Sequence, residues 1–232
     1  MKQFLGLALG VALLALCPAR ADAQDEKTYL STNELDTTHF MAPPPSKEVT
    51  RHELERVLVL QEKRTGEQAA RSVADLEQSV FRFVDVMGPE FTADKIPKAA
   101  GVFEKVYKTE SAFNKQGKEK WNRDRPQVAD SRIKPVAKFA NSGSYPSGHA
   151  AFAYLTAIVL ADIVPEKRDA IFARAAEFGH NRVLGGVHYP SDIESGQQMA
   201  VMIAVLMYKN PTFRKDLEEA RAEVRAVLNL GQ

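Results

Sequence analysis

Cysteine is almost missing from these 232 residues. The only one, Cys17, lies near the start, so disulfides cannot hold the rest of the chain together and an apolar core must do so. Long apolar runs are equally scarce. After the first two dozen residues none reaches the ~18–20 apolar residues needed to span a bilayer. The best stretches, 150–160 and 199–208, stop at Asp162 and Lys209 and read as buried helices, so no transmembrane segment is expected. Excess charge is absent too: 31 basic residues face 30 acidic ones, which argues against a nucleic-acid partner held by a basic surface. Sustained period-2 alternation is lacking, which excludes a sheet-based fold and leaves an all-α single-domain helical bundle. No His-Glu-x-x-His pair occurs, so a histidine-carboxylate metal site is not expected.

What is present begins with a leader. Lys2, the apolar stretch from Phe4 to Leu16 and Ala21-Asp22-Ala23 form a signal peptide over residues 1–23, which implies a periplasmic or secreted product. Acylation at Cys17 is disfavoured because bulky Leu16 precedes it. Residues 24–45, ending in Pro43-Pro44-Pro45, suggest an extended N-terminal arm over the surface. Residues 46–232 then form the helical domain. A first helix runs from Ser46 to Arg64 with an apolar stripe at Val49, Leu54, Val57, Leu58 and Leu60. Thr65 and Gln68 have capping-box spacing and open a second helix that continues through Val73, Leu76, Val80 and Phe83 to Gly88-Pro89. Further helices are expected from Lys98 toward Trp121 and over 148–163, 166–180, 190–208 and 211–228.

Three segments carry chemistry. In the first, Lys118 and Arg125 are two cations separated by six residues; the guanidinium fork suits phosphate oxygens and the ammonium adds a point charge. Their neighbours Lys120 and Arg123 read as solvated charges. In the second, 143–149, small residues precede a helix, so that the Ser147 hydroxyl, the Gly148 backbone and the helix dipole can meet an anion beside His149; an ordinary helix cap is the plainer alternative. In the third, Arg182 precedes His188, and Pro190 starts a helix whose first turn holds Asp192. A carboxylate there can accept from Nδ1–H and leave Nε2 with a free lone pair, as a nucleophilic imidazole requires. His39, His52 and His180 stand alone and read as surface or packing residues.

Together, Lys118-x6-Arg125-Pro126, Pro146-Ser147-Gly148-His149 and Arg182-x5-His188-x3-Asp192 resemble the three-part signature of the type 2 phosphatidic acid phosphatase superfamily. The closest likeness is to the secreted class A bacterial non-specific acid phosphatases, and it covers about residues 40–230. The resemblance implies an all-helical fold, hydrolysis of phosphate monoesters through a phosphohistidine, no cofactor, no metal and a homodimer. It makes His188 the nucleophile, Asp192 its orienting partner and His149 the general acid. Lys118, Arg125, Ser147, Gly148 and Arg182 become the phosphate-binding set.

Two positions depart from the pattern. Asn181 stands where the family has Ser, and Ala150 where its soluble members often have Thr, so Asn181 is expected to modulate affinity. Vanadate-dependent haloperoxidases are similar in the same residues, because vanadate imitates the phosphoryl transition state. Lipid and undecaprenyl pyrophosphate phosphatases share them as well. A non-catalytic phosphate binder would not need His188 and Asp192 at this spacing.

Overall fold

A computed structural model describes residues 27–136 and 138–231; the expected signal peptide and Cys17 lie outside the described residues. Within them the chain is helical, with no strand. Helix α1 spans Lys47–Lys63 and is capped by Ser46, whose hydroxyl accepts from Val49 N. Helix α2, Gly66–Ala74, opens on the expected capping box between Thr65 and Gln68. It stops there, whereas the sequence suggested one helix to Gly88. Asp75 ends it, a 3-10 turn covers Val80–Phe83, and α3 is only Val84–Met87. The break has a physical cause: Asp75 and Ser79 use their side chains locally or across the fold instead of facing water on a helix.

Helix α4, Pro97–Trp121, begins at a proline and ends at Asn122, which takes a left-handed φ of 38°. A short α5 follows at Pro126–Ala129. Helix α6, Gly148–Ile163, is apolar on all sides and is the centre of the bundle, enclosed by α4, by α7 at Arg168–Leu184, by α8 at Pro190–Met207 and by α9 at Pro211–Val227. Helix α7 runs past the expected end at residue 180, so Asn181 and Arg182 sit in its last turn and not in a loop.

Two glycine contacts fix how closely these helices meet. A Cβ at Gly196 in α8 would lie 2.4 Å from the Ser147 carbonyl oxygen, and one at Gly148 would lie 3.0 Å from Asn114 Oδ1. Both ends of the 147–148 peptide are therefore in close contact with other helices. The segment before α1 is irregular, as expected, but it is anchored and does not merely lie on the surface. Tyr29, Leu30 and Met41 are buried; Tyr29 packs edge-on to Phe213 at 5.0 Å and donates to Asp216 Oδ2 at 3.0 Å.

Candidate active site

The three sequence segments converge at one end of α6. Lys118 comes from the last turn of α4, Arg125 from the start of α5, Gly148 and His149 from the first turn of α6, and Arg182 from the end of α7. His188 lies just ahead of α8. With Asn114 and Gly143 these residues line a cavity of about 650 Å³, whose rim carries the exposed Lys115, Glu119, Lys138 and Phe139.

His188 is held from both ring nitrogens. Nδ1 lies 3.1 Å from Asp192 Oδ2, and Nε2 lies 3.2 Å from Arg125 Nη1. A guanidinium can only donate, so Nε2 is the acceptor and Nδ1 carries the proton. The carboxylate is fixed in turn: Oδ2 also accepts from Tyr189 N at 2.9 Å, and Oδ1 accepts from Arg123 Nη1 at 2.7 Å. Pro190 lacks an N–H and starts α8, so Tyr189 is extended and its amide points into the first turn, at Asp192.

The cations are crowded. Lys118 Nζ donates to the carbonyls of Gly143 at 2.9 Å and Pro146 at 3.0 Å. Arg125 donates to Ser142 O at 3.0 Å and Val187 O at 2.9 Å. Arg182 is 1% exposed, yet its Nε and Nη1 have no hydrogen-bond partner among the described residues. Buried donors left without a partner cost ~1–3 kcal/mol each, and the cavity beside them is where a partner for Arg182 would have to sit. Burial, then Arg125, pushes Lys118 down to about 8 and Arg182 down to about 10. Burial, then Arg125 and Lys118, also holds His188 well below the ordinary histidine range. A bound dianion would relieve all three.

His149 contacts the Leu76 carbonyl through Nε2 at 3.2 Å. A carbonyl only accepts, so Nε2 carries a proton and Nδ1 is the atom able to exchange one. Burial, then Arg182 and His188, pushes this ring well below its usual range.

Two expected residues take other positions. Ser147 is fully buried and its hydroxyl accepts from Ala150 N at 3.3 Å, so it caps α6, while the Gly148 and His149 amides remain in the open first turn. Asn181 turns away from the cavity and donates to Asp75 Oδ2 at 2.8 Å; Asp75 also accepts from Arg174 and Arg82. Burial raises the Asp75 carboxyl, and Arg174, Asn181 and Arg82 outweigh it, holding the group below the usual range.

Arg123 corrects the sequence reading of a solvated charge. It is buried, it bonds Asp192 and Glu53, and its guanidinium lies 3.9 Å from the centre of the Tyr189 ring. Lys120 does stay exposed but donates to Thr38 Oγ1 at 2.9 Å and ties down the arm. Glu53 belongs to none of the three motifs. Its signal was an acid four residues before Val57 on the inward face of α1, where an apolar residue is the norm. His39, His52 and His180 are exposed, as expected.

The chain is similar to known proteins over most of its length. The sequence profile of the PAP2 superfamily matches residues 107–216. A non-specific acid phosphatase of Providencia stuartii is 31% identical over 210 residues, covering 84% of each chain. A non-specific acid phosphatase of Salmonella typhi is 28% identical over 173 residues, covering 72% of this chain and 68% of that one. Among solved structures, a transmembrane PAP2-type phosphatidylglycerolphosphate phosphatase from Bacillus subtilis matches with a TM-score of 0.53 at 19% identity, over 71% of this chain and 86% of that one, which establishes the shared helical fold.

Proposed function

The chain belongs to the PAP2 superfamily and is an acid phosphatase, and from that premise we propose that it cleaves phosphate monoesters of many kinds through a phosphohistidine on His188, without a metal ion. The observation that carries the reading is the ring held at both nitrogens, Nδ1 on Asp192 and Nε2 beside Arg125, with the unpaired donors of Arg182 in the same cavity. On this reading a phosphate dianion takes the place that Arg125 holds at Nε2. Lys118, Arg125, Arg182 and the first amides of α6 receive its equatorial oxygens, where charge must be stabilised during transfer.

Nε2 attacks phosphorus in line, the P–O bond to the leaving group breaks, and His149 Nδ1 gives that oxygen its proton. The Nδ1–H of the phosphorylated ring stays on Asp192. A water molecule then attacks phosphorus, neutral His149 takes its proton, the P–N bond breaks back onto Nε2, and phosphate leaves. On this reading the cations supply the charge stabilisation that a metal would otherwise provide.

Among the described residues no helix is long and apolar enough to cross a membrane, which favours phosphate esters reached from water over bilayer lipids. The haloperoxidase alternative has no observation of its own. Export directed by residues 1–23 and assembly as a homodimer belong to the same proposal. Turnover of p-nitrophenyl phosphate after exhaustive EDTA treatment, by wild type and by His188→Ala, tests the reading. Full wild-type activity and no turnover by the variant are expected; loss to EDTA with recovery on zinc or magnesium overturns the metal-free mechanism.

A further inference from the structure

Asp192 is not the last charged group behind His188. Its Oδ1 accepts from Arg123 Nη1 at 2.7 Å, and Arg123 Nη2 donates to Glu53 Oε2 at 2.9 Å. Glu53 is tied to Arg123 a second time through Ser191. Its hydroxyl donates to Glu53 Oε2 at 2.8 Å and accepts from Arg123 at 2.8 Å, and its amide donates to Glu53 Oε1 at 2.7 Å. Thr50 Oγ1 accepts from the same Nη2 at 2.9 Å, and the Tyr189 ring covers one face. Every one of these side chains but Thr50, Ser191 and Tyr189 is charged, and Glu53, Arg123 and Asp192 are all buried.

Buried ion pairs add little stability over an apolar replacement and leave a large penalty when one member is lost. A row of three ending on the ring of a reactive histidine therefore points to a use beyond holding α1 against α8.

We propose that Glu53 and Arg123 are positioning residues that set the net charge behind Asp192 and through it the reactivity of His188. The proposal rests on the reading of His188 as nucleophile. Arg123 holds Oδ1 so that Oδ2 stays aimed at Nδ1, and it draws negative charge away from the ring. Glu53 offsets part of that draw. The pair thus keeps Asp192 able to stabilise the positive charge that develops on the ring during attack, without making the free ring so easily protonated that Nε2 loses its lone pair.

The two residues should act with opposite sign. Other groups face this row and are the same in every variant: Lys118 on α4, Arg125, His149 on α6 and Arg182 on α7 toward His188, and Lys118 again toward Asp192. Removing the Glu53 charge leaves Arg123 uncompensated, and His188 becomes harder to protonate. Removing the Arg123 charge leaves Asp192 uncompensated, and the ring becomes easier to protonate.

The experiment is the pH profile of kcat/KM, measured on the full exported protein for wild type, Glu53→Gln, Arg123→Gln and Arg123→Lys. The acid limb of Glu53→Gln should move down by about half a pH unit or more, the scale of one partly screened charge within ~10 Å, with a fall in kcat and little change in KM. That of Arg123→Gln should move up. Arg123→Lys should keep the wild-type limb, because the charge remains, while losing kcat with the fork.

If Arg123→Gln does not fold, Glu53→Gln decides alone. A limb at the wild-type position in Glu53→Gln, or shifts of one sign in both neutral variants, overturns the proposal. His188→Ala separates the two readings: if it retains turnover, the nucleophile assignment fails. If it is inactive while the limbs stay fixed, only the relay fails.

Discussion

Asn181 donates its Nδ2–H to Asp75 Oδ2 at 2.8 Å, and it is the residue immediately before Arg182. The same turn is held by Ser72, whose hydroxyl donates to the Asn181 carbonyl at 2.6 Å. Asparagine at this position is thus a structural partner of α2, and its effect on phosphate passes through the placement of Arg182. Asn181→Ser shortens the side chain and leaves Asp75 one donor short, so unfolding by urea should show a loss of about 1–3 kcal/mol with a modest rise in KM. Asp75→Asn takes from Arg174 its one buried charge partner, leaving only the more exposed Glu177 and Asp85, and should lose about 3 kcal/mol. Wild-type stability in both variants contradicts the pairing.

Gly196 lies where α8 crosses the start of α6, and its missing Cβ leaves room for the Ser147 carbonyl. Gly196→Ala should push the Ser147–Gly148 peptide outward, lower stability by about 1–3 kcal/mol and reduce kcat. Gly101, exposed in α4 with nothing within 4 Å of an added Cβ, is the control. Gly101→Ala should stabilise by about 0.5–1 kcal/mol and leave kinetics unchanged. Thermal melts and steady-state rates on both variants check the contrast.

Activity should follow a bell in pH, because His188 must be neutral to attack and His149 protonated to donate. Burial and the neighbouring cations hold both rings below the usual range. The kcat/KM bell should accordingly lie on the acid side of about 6.5, the ordinary histidine value. It falls below the His188 limb, where the nucleophile is protonated, and above the His149 limb, where the acid is not. A bound dianion offsets the cations and raises both values, so the kcat bell should sit at higher pH than the kcat/KM bell. An optimum of kcat/KM at or above neutral contradicts this.

The leaving group distinguishes an acid from a binding residue at position 149. His149→Ala should lose about 10²–10⁴-fold toward alkyl phosphates, the usual range for general-acid catalysis, and far less toward p-nitrophenyl phosphate, whose oxygen leaves without a proton. Equal losses on both substrates assign His149 to binding.

Much of the site was legible because its residues are tied to local rules. Pro190 and Asp192 fix the start of α8, so the position of His188 against Asp192 follows from four residues of sequence. Arg125, Gly148 and Arg182 reach the cavity as their motifs implied. What local pattern could not supply were partners distant in sequence. Arg123 reads as one charge among many in 118–125, and only the return of α1 with Glu53 and of α8 with Asp192 buries it. Asp75 breaks a helix that periodicity would have continued, because its partners Arg174 and Asn181 lie about a hundred residues away. Ser147 shows the converse: a helix cap and a phosphate ligand have the same sequence signature, and a hydroxyl that accepts from Ala150 N keeps its own proton to donate.

The central claim is a covalent bond between phosphorus and His188 Nε2, and trapping that bond tests it most directly. Wild-type enzyme mixed with ³²P-labelled substrate and quenched in alkali within one turnover should carry label stable to base and lost in acid, as a phosphoimidazole is. Peptide mapping should place it on residue 188, and His188→Ala should carry none. Label on His149, label that survives acid, or full turnover with no trapped phosphoenzyme would contradict the account.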